Sequence, residues 1–103
     1  MRQPLVTTEF VLIEIGDALA DGRFRQQATD TIEILRADDL IELVPASSSL
    51  FSQALGLYRA RQDKGWGMAD CASFVVMREL ELHAALTNDE HFRQAGFQAL
   101  LIE

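Results

Sequence analysis

The chain has one cysteine, two prolines and a single lysine in 103 residues, and each scarcity excludes something. Cys71 alone cannot close an internal disulfide, so packing must hold the fold, and a reducing compartment fits. No Pro/Gly/Ser-rich linker, internal repeat or low-complexity tract interrupts the chain, so residues 1–103 read as one small domain. No segment approaches the roughly 20 unbroken apolar residues of a membrane span, and "MRQPLVTTEF" lacks the charged-then-apolar layout of a signal peptide. A cytoplasmic protein without a membrane partner is expected. Basic residues are also scarce, nine against 16 acids, for a net charge of −7. That balance disfavours sequence-independent adhesion to nucleic acid, which depends on neutralising phosphates. Any RNA contact must be local or bridged by a metal. Arg59, Arg61 and Lys64, with Arg23 and Arg25, are the basic groupings available for it, although the plainer reading of each is a solvated helix face.

With 49% hydrophobic residues the chain has enough apolar material to fold, and the pattern alternates strands with helices. "LVTT" (Leu5–Thr8) is a short β-type run, Thr8 is a good N-cap, and Glu9 suits the positive end of the next helix. Val11, Ile15, Ala18 and Leu19 recur at helical spacing between Phe10 and about Ala20, where Asp21-Gly22 stops the helix. A second amphipathic helix is predicted from about Phe24 to Arg36, with Ala28, Ile32 and Leu35 inward. "LIELVPA" (Leu40–Ala46) reads as a strand ended by Pro45. Serines 47–49 offer caps for a helix through Leu50, Ala54, Leu57 and Tyr58, and Gly65-Trp66-Gly67 is a break. From Met68 to Leu80 the helix is apolar on almost every side and should be buried. "LHAALT" (Leu82–Thr87), "DEHFRQAG" closed by Gly96, and "FQALLIE" read as strand, short helix and final strand. This order implies parallel pairing in an α/β layered domain.

Three acids stand out against that pattern. Glu14 has Phe10, Val11 and Ala18 as helical neighbours, and a carboxylate in such company is costly unless it is bonded, coordinated or reaches water at the stripe's edge. Asp70 lies early in the helix that is otherwise buried, where it suits either a ligand or a capping acid. Asp89 follows a strand, the side of an open α/β sheet where ligands gather, yet "TNDE" also reads simply as a helix cap. Convergence of the three would make an oxygen-rich pocket suited to Mg2+ or Mn2+. Other candidates are weaker. His83 and His91 have no zinc-like spacing to each other or to Cys71, and no phosphate loop or nucleophile elbow is present. Cys71 reads as a small core residue, and Trp66 as a hydrophobic plug, with base stacking as the alternative.

Taken in order, "PLVTTEFVLIEIGDAL", "GMADCASFVVMREL" and "AALTNDEHF" resemble the PIN domain, especially the bacterial VapC-type toxin ribonucleases. The resemblance spans nearly the whole chain. It implies a three-layer α/β/α sandwich around a parallel sheet and an acidic cluster holding Mg2+ or Mn2+ for cleavage of RNA phosphodiesters. Glu14 matches the acid of the family's first helix, Asp70 that of the buried helix, Asp89 that after the fourth strand, and Thr87 the hydroxyl residue before it.

The family pattern also opens with an apolar strand ending in Asp, and this chain starts after it, so the domain reads as truncated at its N-terminus. That reading implies a missing metal ligand, a gap between the strands at Leu5–Thr8 and Leu82–Thr87, and weakened or absent activity. It also implies a homodimer, intertwined or swapped, that covers the gap. A start upstream of Met1 would restore the strand. The rival reading is a catalytically inactive α/β module that dimerises or binds an antitoxin-like protein.

Overall fold

The computed structural model describes residues 3–102, which fall into two compact units divided between Ala46 and Ser47. In the first unit, strand β1 (Leu5–Thr8) leads directly into helix α1 (Glu9–Ala18), and helix α2 (Arg25–Ala37) leads into strand β2 (Ile41–Val44). Thr8 ends the strand and caps the helix, its hydroxyl accepting the Val11 N–H at 3.3 Å. The strands pair in parallel, from Leu5 with Ile41 to Thr8 with Val44. Glu9 accepts the Ala46 N–H at 2.8 Å and so ties the start of α1 to the exit of β2. Thr8, Leu12 and Ala28 are the buried side chains of this unit. Ile32 and Leu35 lie half-buried on α2 as the spacing predicts, but Ala18 is exposed and Leu12 takes the inward place on α1. At about 100° per residue Leu12 joins the stripe of Thr8, Val11, Ile15 and Leu19, and Ala18 lies at its edge.

The second unit is built on two packed helices, α3 (Ser48–Ala60) and α4 (Met68–Glu79). Ser47 caps α3 by accepting the Leu50 N–H at 3.0 Å, and Leu50 and Ala54 form its buried stripe. Helix α4 buries Cys71, Ala72, Phe74, Val76 and Met77, with Phe74 fully enclosed. Strand β3 (Ala84–Ala85), helix α5 (Glu90–Gln94) and strand β4 (Gln98–Ala99) follow, and β3 pairs with β4 in parallel. Among the described residues the sheets are β1–β2 and β3–β4. The aromatic rings organise this unit. Trp66 and Phe92 each meet Phe74 edge-on at 4.9 Å, and Phe97 lies 5.7 Å from it.

Both last strands are shorter than their apolar runs predict, because turns on either side take up their backbone groups. Helix α4 closes with the Leu82 N–H on the Met77 carbonyl and the Glu81 N–H on the Arg78 carbonyl, a Schellman motif that removes residues 81–82 from any ladder. The Thr87 N–H turns back to the Ala85 carbonyl and ends β3. Helix α5 closes with the same pair of bonds, Phe97 to Phe92 and Gly96 to Arg93. The left-handed position of that motif is Gly96, with φ +96°, after α5, but Glu81, with φ +55°, after α4. Glycine takes this conformation freely and glutamate does not.

Two stability predictions follow from this packing. Phe74→Ala should lower the unfolding free energy by about 3–5 kcal/mol in a urea titration, since it empties the centre of the ring cluster. Glu81→Gly should raise it by about 1 kcal/mol by relieving the left-handed residue.

Candidate metal centre

Asp70 is the third residue of α4, and its carboxylate reaches back to the helix start, Oδ2 accepting the Gly67 N–H at 3.0 Å. Asp89 caps α5, with Oδ1 accepting the His91 N–H at 2.9 Å. Thr87 fixes the backbone between strand and cap, its hydroxyl oxygen accepting the Asp89 N–H at 3.0 Å. The capping readings of both acids therefore hold, and the capped oxygens, Asp70 Oδ2 and Asp89 Oδ1, are the same two that face His91, each keeping a further lone pair.

Capping does not scatter these side chains. His91 Nδ1 lies 3.2 Å from Asp70 Oδ2 and 3.3 Å from Asp89 Oδ1, and one ligand atom from each residue falls within 4.8 Å of the others. The ring cluster explains the convergence. Phe74 lies one turn beyond Asp70 on α4 and Phe92 directly follows His91, so the contact between these rings draws the starts of the two helices together. Trp66, just before Gly67, adds a second tie by donating from Nε1 to Gln94 Oε1 at 3.0 Å. Trp66 is only 4% exposed, which makes it the plug rather than a stacking platform.

Asp70 and Asp89 are partly buried, with side-chain exposures of 20% and 41%. Two carboxylates at this separation repel, and a proton, an imidazolium or a cation between them relieves the repulsion. Two carboxylates and an imidazole form a donor set that can hold a divalent cation. Cys71 is not part of it: the thiol is fully enclosed, and burial, with the Asp70 charge adding, pushes its pKa up.

Glu14 is exposed on α1, in the first unit. Arg59 is exposed at the end of α3. Arg61 makes a two-bonded pair with Asp63 at 3.0 and 3.1 Å, which lowers the Asp63 pKa, and its guanidinium lies 5.2 Å from the Trp66 ring centre. Lys64 stands 3.8 Å from the same Asp63. Arg61 and Lys64 line a cleft of about 500 Å³ with Tyr58, Gly65, Trp66 and Gly67, so this cleft and the carboxylates share the Gly65–Gly67 loop. Glu90 faces solvent and meets Arg93 at 3.5 Å. His91 is the member of the cluster that zinc-type spacing missed. The signal was the cap itself, because an Asp N-cap binds the N–H two residues on and so starts the side chain of residue 91 beside its carboxylate.

Parallel strand pairs alternate with helices in an α/β arrangement, with Asp70 and Asp89 at helix starts. The particular likeness is to the crystal structure of Mycobacterium tuberculosis VapC20, described as a Sarcin-Ricin loop cleaving toxin. The TM-score is 0.83 at 23% sequence identity, over 94% of this chain and 74% of that one. At this identity what is shared is the fold, that of a VapC-type PIN-domain toxin. No protein-family model and no curated protein matches the chain.

The capping role of Asp89 can be tested by substitution. Asp89→Asn keeps an acceptor at the cap and should leave the urea midpoint nearly unchanged, whereas Asp89→Ala should cost about 1 kcal/mol.

Proposed function

We propose that the chain is a single PIN-like domain acting as a metal-dependent endoribonuclease of the VapC type. The observation that carries this reading is the approach of Asp70 and Asp89 to one imidazole nitrogen, at 3.2 and 3.3 Å, within a fold shared with a toxin described as cleaving the Sarcin-Ricin loop. Asp70 and Asp89 would hold Mg2+ or Mn2+, which supplies Lewis acidity to the phosphodiester and activates the attacking water. Thr87 orients Asp89 through the backbone bond it accepts. Arg61 and Lys64, in the cleft lined by the Gly65–Gly67 loop, would contact phosphates of the bound strand, and Arg59, exposed in the last turn of α3, is a further candidate for such a contact. Asp63 offsets part of their charge, which limits the cleft to local contacts in an acidic protein. The resemblance assigns Glu14 to the same metal chemistry, and a Glu14→Gln variant tests that assignment separately.

No helix among the described residues is long and apolar enough to cross a membrane. We place the protein in the cytoplasm and propose as partners a second copy or an antitoxin-like protein. Phe51 and Tyr58, both about half exposed and two turns apart on α3, offer apolar surface for either. A sharp monomer peak in light scattering, unchanged at high concentration, would remove the homodimer from the account.

Cleavage of RNA in the presence of Mn2+ is the expected activity. Asp70→Asn and Asp89→Asn should each reduce it by about a hundredfold or more, because each removes a carboxylate from the cation. Cleavage that survives both substitutions at the wild-type rate would place the activity elsewhere.

A further inference from the structure

Two carboxylates account for the metal reading above, but the group at the centre of their convergence is His91. Its Nδ1 is the atom both carboxylates approach, and its ring is bounded on the far side by the loop, Nε2 lying 3.9 Å from where a Cβ on Gly65 would sit. Adjacent ligands of an octahedral ion with bonds of about 2.1 Å are about 3.0 Å apart, and those of a tetrahedral ion about 3.4 Å. The observed nitrogen-to-oxygen distances of 3.2 and 3.3 Å fall between these values.

Resting on the metal-site reading, we propose that His91 Nδ1 is a direct third ligand of the cation, with Asp70 and Asp89. The consequence is a preference in ligand chemistry. A purely carboxylate pocket suits hard ions such as Mg2+, whereas an imidazole nitrogen moves the preference toward Mn2+ and the later divalent metals. His91 is therefore the residue that sets which ion the site selects. The contrasting role is a clamp, in which Nδ1–H only donates to the two carboxylates. An asparagine can imitate that hydrogen bond but supplies no imidazole nitrogen.

Pulsed electron spin resonance of Mn2+ bound to the full chain separates the two roles. The chain has two histidines, His83 and His91. Wild-type and His83→Gln protein should show an imidazole nitrogen coupling that changes when histidine is labelled with 15N, and His91→Asn should lose it. The labelled and unlabelled wild-type and His83→Gln spectra give the answer even if His91→Asn fails to fold. His91→Asp, which makes the site all carboxylate, should lower the preference for Mn2+ over Mg2+ in competition titrations by about tenfold. Mn2+ binding that depends on Asp89 but carries no nitrogen coupling would overturn the assignment of His91 and leave the carboxylate site standing. Absence of any Mn2+ binding dependent on Asp70 and Asp89 would overturn both.

Discussion

The contact on which the second unit depends is the packing of three rings on Phe74. This side chain is fully enclosed, and the rings of Trp66, Phe92 and Phe97 come from the loop before α4, from α5 and from the approach to β4. An edge-on aromatic contact has a preferred separation and angle, so it orients the segments as well as burying them. Each polar member of the metal centre lies within a turn of one of these rings. Asp70 is four residues before Phe74, His91 is next to Phe92, and the Gly67 amide that Asp70 accepts follows Trp66. The hydrophobic core thus places charges that would otherwise separate.

On the proposed function each acid has two roles, as a helix cap and as a ligand. Asp70 and Asp89 complete helix starts with one oxygen apiece, and the local backbone amides partly offset the cost of bringing two negative charges into a partly buried pocket. Capping also fixes rotamers. A carboxylate already oriented by its helix loses less freedom on binding a cation than one on a free surface, which favours pre-formed sites. The structural and functional readings of these residues therefore support each other.

Much of this was legible in the sequence. The alternation of short β runs with amphipathic helices gave the parallel α/β class, the buried helix at Met68–Glu79 was visible from its lack of a polar face, and Thr8, Ser47 and Gly96 marked helix ends by residue type alone. Glu14 and Asp70 stood out as acids in apolar company and Asp89 as the acid that follows a strand, and the family resemblance agreed with the fold shared with VapC20. On α1 Leu12 joins the stripe of Thr8, Val11, Ile15 and Leu19 at about 100° per residue, whereas Ala18 lies at its edge and is exposed. What was not legible depended on tertiary geometry. The last strands shrank because a Schellman closure with a glutamate, Glu81, at its left-handed position leaves no sequence signal. His91 was passed over because spacing along the chain does not show that two helix starts meet.

The most direct test of the account is the anomalous difference map of a crystal soaked in Mn2+. The account predicts a peak in coordination range of both the Asp70 and Asp89 carboxylates, at about 2.1–2.3 Å from an oxygen of each. A fully occupied Mn2+ peak elsewhere on the chain, with none between these two side chains, would contradict it.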